Sequence, residues 1–196
     1  MRGDLVEHGF VFLNGGISGQ PGNGNAARAA AAGEDPDGGL YGYLGEITDV
    51  SQYQDLLGGL VAVVQSRGPF DGIVGLPEGD IVAAALLLKD ARQPFANFKC
   101  GILFSAAPPL DPDDLRAGIV RYLDPVKDAV SSPLNKLWAK AGWRAPEHLH
   151  SALARLCDKC QVFLHDHGHQ VPGQRDHQAL TETLRAIPRT IKSAEG

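Results

Sequence analysis

Short apolar runs alternate with segments of helical spacing along most of this chain, and that alternation limits its fold more than any other feature. Residues 70–76 (Phe70-Asp71-Gly72-Ile73-Val74-Gly75-Leu76), Phe98 to Ser105, Lys136 to Ala139 and Gln161 to Leu164 each read as a buried strand. His8 to Leu13 reads as a further short strand that ends at Asn14-Gly15-Gly16. Between these runs, Leu56, Leu57, Leu60, Val61 and Val64 recur at helical spacing from Ser51 to Gln65, with Ser51 as the expected N-cap and Arg67-Gly68-Pro69 as the stop. Ile81, Ala84, Ala85 and Leu88 mark one face of a second helix, which Pro77-Glu78-Gly79 opens. Pro146 to Cys157 and Asp176 to Ile187 supply two more. Strands in alternation with helices predict an α/β fold: a three-layer sandwich whose mostly parallel sheet has about five strands.

Two stretches stand outside that pattern. Residues 15–39, rich in Gly, Ala, Pro and Asp, read as a long loop with one Ala-rich turn near Ala26 to Ala32. Residues 107–132 read as a lid-like excursion in which Asp111, Asp113 and Asp114 form a solvated helix start. The 196 residues suit a single domain, 1–196. A chain of that size buries about 70% of its unfolded surface and needs no staple.

Composition excludes several roles. A net charge of −5 is a poor match to phosphate backbones, whose recognition needs clustered cations. No run of apolar residues is long enough to span a bilayer, and Met1-Arg2-Gly3-Asp4 lacks the apolar centre of a secretion signal. Three cysteines make no disulfide framework, so a reducing, cytoplasmic setting is expected. The expected partner is a small-molecule substrate, with neither nucleic acid nor membrane.

In a sheet of this kind ligands collect at the carboxyl ends of the strands. Those ends are Asn14 to Ser18, Leu76 to Gly79, Ser105 to Pro109, Lys140 to Arg144 and His165 to His169. Trp138, Trp143 and Phe104, with Phe12 and Tyr122, are candidate walls of an apolar pocket, although aromatics serve cores more often than ligands. Cys157-x-x-Cys160 followed by His165, His167 and His169 invites a zinc reading, but the strand between them separates the two groups by about 17 Å, too far for one metal. Gly15 to Gly24 resembles a phosphate loop in composition alone and lacks the Lys-Ser/Thr signature. No metal and no cofactor are expected.

The run Phe70 to Gly79, ending Gly75-Leu76-Pro77-Glu78-Gly79, occupies the strand–turn–helix slot of a nucleophile elbow, G-x-S-x-G. With Phe98 to Ser105, Gly168-His169-Gln170-Val171-Pro172-Gly173 and Phe10 to Gly15, it resembles the fungal family of serine hydrolases, an α/β-hydrolase branch that includes esterases and thioesterases of polyketide pathways. The resemblance covers residues 8–187. It implies a nucleophile at position 77, a base at His169 and an acid after the strand that begins near Trp138. Position 77 is Pro77, which has no nucleophilic atom and whose locked φ conflicts with an elbow serine's strained turn. Trp138-Ala139-Lys140-Ala141-Gly142 lacks the aspartate. The family's opening strand, ending L-H-G, has no counterpart before residue 8, so the sheet is expected to close a gap there, or to pair with a second copy across it as a homodimer.

On this resemblance the chain reads as a non-hydrolytic enzyme: a cofactor-free cyclase, isomerase or dehydratase for a polyketide- or terpenoid-like substrate. His169 would act as base and Glu78 as its acid/base partner, with Leu76, Pro77, Asn14, Ser105, Phe104, Trp138 and Trp143 shaping the site. Glu78 reads equally as a favourable first-turn charge beside an inherited His169. Two alternatives stand beside the first: an inert pseudo-hydrolase that binds a ligand or protein, and a residual esterase that uses Ser105, a residue otherwise read as a strand-end hydroxyl satisfying backbone groups.

Overall fold

A computed structural model describes residues 8–13, 15, 17–19, 40–44, 49–76, 79–104, 108–123, 137–142, 160–164 and 176–195. Six strands and four helices occur among them: β1 (Ile17–Gly19), β2 (Leu40–Gly42), α1 (Val50–Arg67), β3 (Gly72–Gly75), α2 (Gly79–Arg92), β4 (Cys100–Phe104), α3 (Pro112–Arg116), β5 (Leu137–Gly142), β6 (Cys160–Leu164) and α4 (His177–Glu195). β1 and β2 pair antiparallel; the other four form one parallel sheet in the order β3-β4-β5-β6. The α/β architecture stands. β1 and β2 lie in or beside the stretch expected to be loop, because Ile17-Ser18-Gly19 and Leu40-Tyr41-Gly42 are too short and too glycine-rich to give an alternation signal.

Because strand order follows chain order, right-handed crossovers put the connecting helices on one face of the sheet. The two-residue period of β4 locates both layers. A Cβ on Gly101 would sit 2.4 Å from Cδ1 of Leu87, so that face meets α2. Ile102 and Phe104 point the other way, onto Ile187 of α4. The result is helix, sheet, helix.

α2 was expected to be buried along one face. Instead Val82 to Leu88 are all buried, because the sheet lies beneath the helix and α1 lies across its outer side. Tyr53 and Leu57 of α1 pack with Val82, Ala85, Leu86, Leu110 and Leu115, while Leu87, Leu88 and Leu103 share a second cluster with Val64, Phe98 and Leu123. Each such leucine contributes about 1.5–3 kcal/mol by leaving water. At the end of α2, Asp90 is fully buried, and its carboxylate accepts the N–H groups of Phe95, Ala96, Asn97 and Phe98 at 2.8, 2.8, 3.0 and 2.9 Å. That carboxylate shapes the turn into β4, in which Asn97 takes a left-handed φ of 56°.

Several boundaries differ from expectation. The N-cap of α1 is Asp49, not Ser51: its carboxylate accepts the Ser51 N–H at 3.0 Å, and Gln52 returns an acceptor to the Asp49 N–H at 3.4 Å, a capping box. α4 starts where expected, with Asp176 accepting the Ala179 N–H at 2.9 Å, but continues through Pro188 to Glu195. Residues 8–13 do not form a strand, and Phe10, Val11 and Phe12 are exposed. An apolar run becomes a strand when a neighbour pairs with it, and among the described residues β3 pairs with β4 alone. Phe10 and Phe12 stack on each other instead, with centroids 6.3 Å apart. The helix expected over 146–157 lies outside the described residues.

Candidate functional site

β3 and α2 meet at a sharp strand–helix junction. The Asp80 N–H donates to the Leu76 carbonyl at 2.6 Å, which closes the first turn directly onto the strand end. A Cβ on Gly75 would lie 2.5 Å from Cα of Asp80 and 2.9 Å from the Gly79 carbonyl oxygen, so only glycine fits there. At the other side of the junction, a Cβ on Gly79 would approach Cε2 of Tyr43 to 3.3 Å. These are the close approaches that the two glycines of an elbow serve. Leu76, at the strand's carboxyl end, is half exposed. Asp80 is buried in the first turn of α2, where the helix dipole favours its carboxylate.

Tyr43 was not singled out from the sequence. It follows β2, its ring lies over the start of α2, and its hydroxyl donates to the Leu13 carbonyl. Burial raises its pKa above the ordinary value, which keeps the phenol a neutral donor. The one sequence signal was an aromatic set in the glycine-rich run Leu40-Tyr41-Gly42-Tyr43-Leu44-Gly45.

Of the candidate site residues, Leu76 sits at the junction. Phe104 ends β4 and is buried in the core against Ile102 and Ile187. Trp138 is displaced from the expected rim. β5 runs from Leu137 to Gly142 rather than ending at Ala139, so Trp138, paired with Gly101 and Cys160, lies at the amino end of the strand. Four residues of strand, about 13 Å, separate it from the carboxyl edge. Pro77, Glu78, Asn14, Ser105, Trp143 and His169 lie outside the described residues, as do Cys157, His165 and His167. No group of His, Cys, Asp or Glu able to hold a metal occurs among the described residues.

The excursion after β4 also differs from its reading. Asp111 is not solvated; it is buried, caps α3 through the Asp113 and Asp114 N–H groups, and takes Arg92 at 2.8 and 3.2 Å and Arg121 at 3.3 Å. Burial opposes its charge, but the hydrogen bonds from Arg92 and from the two N–H groups outweigh it and hold the pKa below the usual carboxylate value. Arg92 is the last residue of α2, whereas the elbow is at its first. This attachment therefore lies about 20 Å along the helix from the elbow.

Residues 4–180 match the family described as Serine hydrolase (FSH1). The chain is 26% identical over 136 residues to Esterase FPY3 of Fusarium mangiferae, a stretch covering 67% of this chain and 61% of that protein. It thus spans less than two thirds of the length of this curated relative. Among solved structures, YahD with malic acid gives a TM-score of 0.45 at 12% identity, over 71% of this chain and 62% of the other. A Bacillus cereus carboxylesterase gives 0.43 at 14%, over 74% and 59%.

Proposed function

Because this chain belongs to the serine hydrolase (FSH1) family, we propose that it binds a carbonyl-bearing, polyketide- or terpenoid-like molecule at the elbow mouth and acts on it without forming an acyl-enzyme at residue 77. The observation that supports this reading is Gly75-Leu76-Pro77-Glu78-Gly79: Gly75 and Gly79 both sit at close approaches, and Pro77 stands where the resemblance puts the nucleophile. Hydrolysis through an elbow serine needs that oxygen. Proton transfer does not. The His169 imidazole takes a proton from the carbon beside the substrate carbonyl. The enolate then takes a proton at another carbon (isomerisation), attacks a second carbonyl (cyclisation) or expels a β-hydroxyl (loss of water). Glu78 in its protonated form gives the proton to that carbon, to the new alkoxide or to the departing hydroxide. General acid–base catalysis of this kind supplies about 100- to 10,000-fold.

The test is an apolar monoketone and the N-acetylcysteamine thioester of an apolar carboxylic acid, each incubated in D2O and followed by proton NMR. The expected result is deuterium entry at the α-carbon at least about 100-fold above buffer, abolished in His169→Ala, with no thiol released. A second reading, favoured by the similarity to an esterase, is ester hydrolysis through Ser105. Thiol release lost in Ser105→Ala would establish it and overturn the first. Saturable binding with neither reaction would make the chain an inert binding protein.

A further inference from the structure

We propose that Tyr43 is a positioning residue for the strand–helix junction, holding the segment that ends in Leu13 beside the start of α2. This rests on the reading of the elbow as the site. Three contacts carry it. The Tyr43 ring packs over Gly79, the first residue of α2, with Cε2 3.3 Å from where a Cβ would stand. Its hydroxyl donates to the carbonyl of Leu13, thirty residues earlier in the chain. The next residue, Leu44, is buried in the cluster of Tyr53, Leu57 and Val82, which fixes the backbone from which the ring projects.

Phe10, Val11 and Phe12 are exposed, and among the described residues 8–13 pair with no strand. A single hydrogen bond contributes about 0.5–1.5 kcal/mol, enough to bias the position of an exposed segment that pairs with no strand among the described residues. A phenol whose pKa is raised remains a donor throughout the neutral range.

The test uses the full chain and compares Tyr43→Phe, Gly79→Ala and Tyr53→Phe. Backbone-amide deuterium exchange is read by mass spectrometry, and the D2O turnover assay above gives KM and kcat. Tyr43→Phe is expected to speed exchange of residues 9–15 by about 10-fold, with exchange in α1 unchanged. Gly79→Ala is expected to do the same by pushing the ring aside, although alanine favours the helix by about 1 kcal/mol. Tyr53→Phe, which removes a phenol hydroxyl from α1 and leaves the Leu13 carbonyl its donor, should leave 9–15 as in wild type. Where turnover is present, Tyr43→Phe should raise KM several-fold with kcat held. Unchanged exchange at 9–15 in Tyr43→Phe would overturn the proposal, as would an equal rise in Tyr53→Phe. Absence of turnover would count against the acid–base reading and leave the exchange result to decide this one.

Discussion

Asp90 accepts four backbone N–H groups from inside the protein. Asn in its place keeps one oxygen and turns a donor toward N–H groups that need an acceptor. Asp90→Asn should therefore cost about 3 kcal/mol, read as a lower urea midpoint at unchanged slope. Asp111 gives a pH signature. Its folded pKa lies below its ordinary value of 3.8, so its contribution is fully present above that value and is lost as pH falls through the depressed one. Unfolding free energy should drop with pH below about 4, and Asp111→Asn should flatten that slope. Neither carboxylate was legible. Asp111 sits in a run of acids that reads as a solvated helix start, and Asp90, in Lys89-Asp90-Ala91-Arg92, carries no signal of its own. Tyr43 was hidden for another reason: its partners are distant in the chain. That residue 77 is a proline is read from the sequence directly; its role belongs to the proposal.

At the scale of elements, the parallel sheet and α2 rest on glycines that admit close approach. Gly101→Ala drives a methyl into the tip of Leu87, which can rotate away, and should cost about 1–3 kcal/mol. Gly75→Ala meets the backbone of Asp80 and Gly79, which cannot, and should cost more than Gly101→Ala in the same urea titration. α1, α2, β3 and β4 were readable because long periodic runs and buried apolar strands leave strong patterns. Ends were not. An end placed three residues early in β5 made Trp138 a candidate pocket wall, whereas it lies at the amino end of the strand. The segment 8–13 failed differently. Its composition was that of a strand, but strand formation depends on a neighbour, which the run itself does not encode.

For the whole molecule, the pattern of alternating elements and the motif pair around residues 70–79 and 168–173 were enough to reach the family. The chemistry was not contained in that assignment, since a fold carries many activities and the site decides among them. The proposal turns on Pro77, which lies between two glycines that both sit at close approaches. The most direct test is to treat the full chain with a fluorophosphonate, then measure intact mass and map any adduct by peptide mass spectrometry. Unchanged mass, with α-carbon deuterium exchange retained after treatment, is the predicted result. A stoichiometric phosphonyl adduct on Ser105, or on any other side chain, with parallel loss of turnover would contradict it.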